Sequence, residues 1–176
     1  MDQHTQPQSE GAEDDVPLVA LFRHNLWANL RLFEACITLD KQQLAATTAG
    51  TFGDIFHTLR HVARSEQGYL NLLTYRKQGT PIEWEDNPGV AALREHVQRA
   101  GEGLVAVADG TTPTGAVLIK WEDGGYRQIP AGMILNQAIN HASEHRTQIT
   151  TILTQLGIEP PDLSGWAFAE DHVPPL

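Results

Sequence analysis

The chain has 176 residues, 41% hydrophobic and 19% charged, a balance that supports one packed core and excludes a disordered protein. With 12 Lys plus Arg against 22 Asp plus Glu the formal charge is -10, which repels phosphate backbones and anionic lipid, so neither nucleic acid nor a membrane is an expected partner. The single Cys36 excludes an internal disulfide and reads as a buried thiol; with no basic, apolar leader and no long apolar run, the expected location is the cytoplasm.

Residues 1–15 are polar and acidic (Glu10, Glu13, Asp14, Asp15) and read as a disordered tail, leaving 16–176 as one domain. A first helix is expected from Pro17 to Thr38, because Val19, Phe22, Leu26, Leu30, Phe33 and Ile37 recur at steps of three and four. Thr51 with Asp54 resembles a capping box and opens a second helix, Thr51 to Lys77. Asn87-Pro88 suits the start of a third helix running to Asp109, with Gly101 and Gly103 expected to weaken its C-terminal half. Ala116 to Trp121 and Tyr126 to Ile129 flank Glu122-Asp-Gly-Gly125 and read as a β-hairpin. A fourth helix should run from Pro130 to Gly157, stopped by that glycine and by Pro160-Pro161. In the segment from Glu159 to Leu176, Trp166 and Phe168 are expected to tie an extended tail onto the bundle.

Chemistry enters with the histidines. On the fourth helix Ile134, Ala138, His141, His145, Ile152 and Leu156 fall within roughly 60° of one another at 100° per residue. Two imidazoles four residues apart thus lie in an apolar stripe, where each needs a hydrogen-bond partner or a metal, since burying an unpaired polar group costs about 1 to 3 kcal/mol. Their spacing suits a shared ion, and it suits hydrogen-bonded core histidines equally well; a third ligand has to come from elsewhere.

The second helix carries His57 and His61, both roughly 120° or more from the stripe of Ile55, Leu59, Val62 and Leu73, so periodicity alone makes them solvent-facing. His61 does share a line with Thr58, Ser65, Gly68 and Leu72, a possible second contact face. Glu66 lies on the stripe, either as a carboxylate orienting a ligand histidine or as the partner of an arginine such as Arg23 or Arg60. His24 reads as a partly exposed residue near the bundle end and a pocket candidate; His96, His4 and His172 read as solvated.

Three ordered segments resemble the DinB-like (DinB/YfiT) family of four-helix-bundle metalloenzymes: His24-Asn-Leu-Trp-Ala-Asn-Leu-Arg-Leu32, with His24 where tyrosine is common; Thr58-Leu-Arg-His61 with Glu66; and Asn140-His-Ala-Ser-Glu-His-Arg-Thr-Gln-Ile149, with Thr147 where glycine is usual. The hairpin and Leu156-Gly157 match as well, so the resemblance spans residues 17–165. It implies an all-α four-helix bundle with long crossover connections and a short hairpin between the third and fourth helices. It also implies one divalent ion on His61, His141 and His145, with His57 outside the set; imidazole ligands suit zinc or nickel, with iron or copper as further choices.

Three imidazoles leave a coordination position free, the arrangement of a catalytic rather than a structural metal. Such a site can bind water or a thiolate, and the family resemblance implies the second, a metal-dependent transferase or isomerase using a low-molecular-weight thiol and a small-molecule substrate. The alternatives are a metal-dependent hydrolase, with Glu66 and Glu144 as candidate acid–base residues, and a non-catalytic metal or small-ligand binding protein. The resemblance further admits a homodimer.

Overall fold

The computed structural model describes residues 16–75, 82, 87–110, 115–121 and 123–173. Its elements are α1 (Pro17–Ile37), α2 (Lys41–Leu44), α3 (Ile55–Thr74), α4 (Gly89–Ala108), β1 (Ala116–Lys120), β2 (Tyr126–Pro130), α5 (Ala131–Gln155) and α6 (Gly165–His172). The N-terminal tail, Lys77 and Glu122 lie outside the described residues.

The four long helices form the bundle, α1 packing on α4, α4 on α3, α3 on α5 and α5 on α1. Two apolar clusters fill it. One joins Leu32, Phe33, Ile55, Leu59, Leu93, Ile149 and Leu153; the other joins Val19, Phe22, Leu70, Leu104, Ile134 and Ala138. Along α1 and α5 the chain passes from the second cluster to the first, and along α3 and α4 from the first to the second. Because α3 and α4 run in the same sense, the chain between them must traverse the bundle. On this crossover Ile82 is buried in the first cluster. The expected bundle with its crossover and hairpin is therefore what forms.

Local chemistry sets the ends. Proline at the first turn opens α1. The Asp54 carboxylate accepts the His57 N–H at 2.6 Å and caps α3. Thr51 plays no part in that cap, its hydroxyl turning to the Thr48 and Gly53 carbonyls, so the cap falls three residues later than expected, at Asp54, and α3 begins at Ile55. Gly157 (φ 71°) ends α5, with the Ile158 N–H reaching back to the Leu153 carbonyl at 2.9 Å. In the hairpin, Gly124 (φ 82°) and the Asp123 carboxylate, which accepts the Gly125 N–H at 2.8 Å, make the turn.

Four expectations change. Gly101 and Gly103 do not interrupt α4: a Cβ on Gly101 would lie 2.5 Å from Leu26 Cδ1, and one on Gly103 would lie 2.6 Å from Leu70 Cδ2, so both glycines admit close approach of neighbouring helices. The cap at Asn87-Pro88 is not built, since α4 starts at Gly89 and has no side-chain cap. The C-terminal segment is not extended, because Ser164 caps α6 by accepting the Ala167 N–H at 3.2 Å. Within α6 only Phe168 docks, against the rings of His24 and Trp27, while Trp166 is 83% exposed. The short α2, with its own Asp40–Gln43 capping box, was not foreseen either.

Between the two apolar clusters runs a polar layer. Asn25, Asn29, Glu66, His145 and Arg146 are all buried there, on α1, α3 and α5. The buried face of α1 is accordingly rotated from the expected stripe: Asn25, Ala28, Asn29, Leu32 and Cys36 are inside, and Ile37 is exposed. Leu156, expected on the apolar stripe of α5, is exposed as well.

Candidate metal centre

The α3–α5 interface brings His61, His141 and His145 together. His141 Nε2 lies 2.8 Å from His61 Nε2 and 3.2 Å from His145 Nε2. One ring nitrogen from each residue falls within 4.8 Å of the others, and among the described residues this is the group that could hold a metal ion. His145 is buried and the other two are half-buried. His61 reaches this position because α3 faces two neighbours: the stripe of Ile55, Leu59 and Val62 enters the apolar core, and the adjacent face carrying His61 meets α5. Of the second contact face suggested by Thr58, Ser65 and Gly68, His61 meets α5, whereas Ser65 and Gly68 line an open cavity and a Cβ on Gly68 would meet nothing within 4 Å.

The tautomers can be read from the surroundings. Gln148 Oε1 accepts the Phe52 backbone N–H at 3.1 Å and lies 3.0 Å from His145 Nδ1. An atom that accepts from a backbone N–H is the amide oxygen, so His145 must donate from Nδ1. A neutral ring protonated at Nδ1 turns a lone pair at Nε2 toward His141. His141 Nε2 faces two nitrogens, and its single proton or lone pair cannot satisfy both neighbours through every neutral arrangement. Desolvation, reinforced by the charges of His145 and its neighbours, lowers His61 and His141 to about 4, so both rings are neutral at pH 7.

A cation amid these nitrogens would draw all three lone pairs inward. Nitrogens 2.0 to 2.1 Å from a tetrahedral ion stand about 3.3 Å apart, close to the 2.8 and 3.2 Å that separate His141 from its two neighbours. The residues present fit the metal that the family resemblance implies.

Phe52 roofs the cluster from the loop before α3. Its ring stacks on His61 at 4.2 Å and 22°, and meets His145 edge-on at 5.2 Å. Tyr69 lies edge-on to His141 at 5.8 Å. Beside His61, but not His141 or His145, a cavity of about 310 Å³ has a lining that includes Arg64, Ser65, Gly68, Asn71 and Ile82.

The other candidates sit elsewhere. His57 stacks near Phe52 and approaches Arg60, outside the triad. His24 is half-buried, its Nε2 2.9 Å from the Leu163 carbonyl, and lines a different cleft. His96 is half-buried rather than solvated, and His172 bonds the Phe168 carbonyl within α6. Glu144 is exposed and accepts from Gln148 Nε2 at 3.4 Å, one residue removed from His145.

Glu66 does not bond a ligand histidine. Its Oε1 accepts from Asn25 Nδ2 at 3.3 Å, while Arg146 Nη1 donates to Asn25 Oδ1 and Asn29 Oδ1, each at 2.7 Å. The arginine facing Glu66 is therefore Arg146, a residue the sequence reading passed over. Burial pushes the Glu66 carboxyl up to about 7 against the opposing pull of Asn25 and Arg146, and burial brings Arg146 down to about 10. Glu66 Oε2 and Asn29 Nδ2 are buried without a hydrogen-bond partner. The available signal was spacing: Asn25 and Asn29 lie four apart on α1, in phase with Phe22, Leu32 and Cys36.

A helical bundle with a half-buried three-imidazole cluster between two of its helices defines the class of protein. The sequence matches the DinB family over residues 1–172, and the chain belongs to that family. It is 22% identical over 145 residues to Protein DinB of Bacillus subtilis (strain 168), an alignment covering 78% of this chain and 84% of that protein. Its fold is similar to the crystal structure of a DinB-like protein from Bacillus cereus ATCC 10987, with a TM-score of 0.60 at 14% identity, over 82% of this chain and 94% of the other. Among the described residues no helix is long and apolar enough to cross a membrane.

Proposed function

We propose that this chain is a metal-dependent enzyme of the thiol-transferase type, with one divalent ion on His61, His141 and His145. The carrying observation is the convergence of three imidazole nitrogens within 4.8 Å on a half-buried surface beside a cavity. Zinc or nickel suits an all-imidazole set, with iron or copper as further choices. An ion there supplies a Lewis acid that favours the deprotonated form of a coordinated thiol.

The chain's own residues do the rest. Gln148 holds His145 in the tautomer that presents Nε2, and Phe52 covers one side of the imidazoles so that approach is from the other. The cavity beside His61 offers room for a small electrophile, with Ser65 and Asn71 as polar contacts. Of the two carboxylates considered for acid–base work, Glu144 is the better placed, because Glu66 is enclosed in the polar layer.

The test is to measure divalent metal in the purified wild type and in His145→Ala, then to assay conjugation of low-molecular-weight thiols to electrophiles with and without chelator. Stoichiometric metal lost in the variant, with chelator-sensitive conjugation, is expected. Conjugation indifferent to chelation would remove the ion from the reaction, and bound metal without turnover would leave a non-catalytic binding protein.

A further inference from the structure

Behind α5, on the flank away from His141 and His145, an open cleft of about 330 Å³ lies between that helix and the C-terminal segment. Its lining includes His24, Arg146, Thr147, Thr150, Asp162 and Leu163. The outer wall is held in place: His24 Nε2 bonds the Leu163 carbonyl at 2.9 Å, and Asp171 of α6 accepts from Trp27 Nε1 at 3.1 Å and Arg31 Nη1 at 2.7 Å. Pro160 and Pro161, also in the lining, stiffen the strand of chain that closes it.

Arg146 gives the cleft its chemistry. It is 7% exposed, and its two hydrogen bonds among the described residues both leave from Nη1 to neutral amide oxygens. No carboxylate among the described residues forms an ion pair with it: Glu66 is reached only through Asn25. Nε and Nη2 form the edge of a guanidinium that takes a carboxylate in two parallel bonds, and that edge has no acceptor among the described residues. A buried cation of this kind is half-solvated by the protein and completed by whatever enters the cleft.

We propose that this cleft is a second ligand site, taking a small organic carboxylate on the free edge of Arg146, with the Thr147 and Thr150 side chains as its flank. Its volume is at the small end of ligand pockets, which selects a molecule of modest size. The Asp162 carboxylate on the rim accepts the Ser164 N–H at 2.8 Å and stands in solvent, so it screens the entrance against large polyanions without filling the guanidinium edge. The site is separate from the imidazole cluster and does not depend on the reading of that cluster as a metal centre.

The experiment is calorimetric titration of the full-length protein with benzoate and with succinate, and with inorganic phosphate as the comparison anion. Saturable binding of at least one carboxylate, weaker for phosphate, is expected. Arg146→Gln should weaken it by at least about tenfold. Because that variant touches the core, Thr150→Phe serves as a second probe: it fills the cleft from a half-buried position and should also abolish binding while the circular dichroism and melting transition stay unchanged. His61→Ala, in the other cluster, should bind as the wild type does. Absence of saturable carboxylate binding, binding of phosphate as tight as of carboxylate, retention in Thr150→Phe, or loss in His61→Ala would each overturn the assignment.

Discussion

The polar layer and the imidazole cluster share helices α3 and α5, within two turns of each other, with α1 joining only the layer, and they behave oppositely. In the layer, Glu66 and Arg146 are 1% and 7% exposed and are joined through Asn25 in the middle of the core, with Asn29 accepting a second bond from Arg146. In the cluster, His61 and His141 are half-buried, and His141 Nε2 faces the ring nitrogens of both His61 and His145. Enclosure turns polar groups into a specifying element for the bundle, because the bonds from Arg146 and Asn25 form only when α1, α3 and α5 meet in register. Partial exposure leaves the same kind of group available to an outside ligand.

That contrast can be broken first at Arg146. Replacing it in Arg146→Met removes the cation facing Glu66 and should cost about 3 kcal/mol of stability near pH 8, measured by urea denaturation. The cost should shrink near pH 5, where the stranded carboxyl takes up a proton. An equal loss at both pH values would show that Glu66 does not respond to the arginine.

Next comes the hydrogen bond that orients His145. Gln148→Ala frees Nδ1 of that ring and the Phe52 N–H together, and should lower divalent-metal affinity by about 10- to 100-fold in a competition assay with a chromophoric chelator. Its effect on the unfolding free energy of the metal-free protein should be small. Since His61 and His141 are already neutral well above their values of about 4, neither ring should make metal affinity vary with pH between pH 6 and 8.

The pH profile of stability sharpens the other side. Glu66 has its carboxyl raised from 4.5 to about 7, so between those values the folded chain holds a proton that the unfolded chain has lost. Its contribution to stability is therefore present below the lower value, falls as pH rises through the window, and is level above it. Glu66→Gln should remove that slope, roughly 2 to 3 kcal/mol between about pH 5 and pH 8, when denaturation curves of the two proteins are compared. A variant whose stability still falls in parallel with the wild type would place the titration elsewhere.

The smallest effect is expected at the roof. Phe52→Ala should change metal affinity by less than about threefold but speed metal release in a stopped-flow chelation experiment, because the ring shields one side of His61.

How much of this was legible varies by residue. His141 and His145 stood out because imidazoles four apart on an apolar stripe are expensive to bury unpaired, and they do converge. His61 was placed with them by resemblance alone, since the wheel of α3 turns it away from the apolar stripe; a helix with two neighbours has two inner faces, and hydropathy registers only one. Arg146 was invisible for the converse reason: a charged residue reads as solvated until a partner on another helix is known. Asn25 and Asn29 carried the right phase but the wrong polarity.

The pattern of apolar steps, caps and turn residues was enough to determine four long helices, the hairpin and the stop at Gly157, because those depend on neighbours a few residues away along the chain. Helix α6, the uninterrupted run of α4 past its glycines, the enclosure of Glu66 with Arg146 and the meeting of His61 with His141 were decided only in three dimensions. Each of these rests on groups brought together from distant parts of the sequence, 80 residues apart in the case of the two histidines, where local spacing carries no information about distance in space.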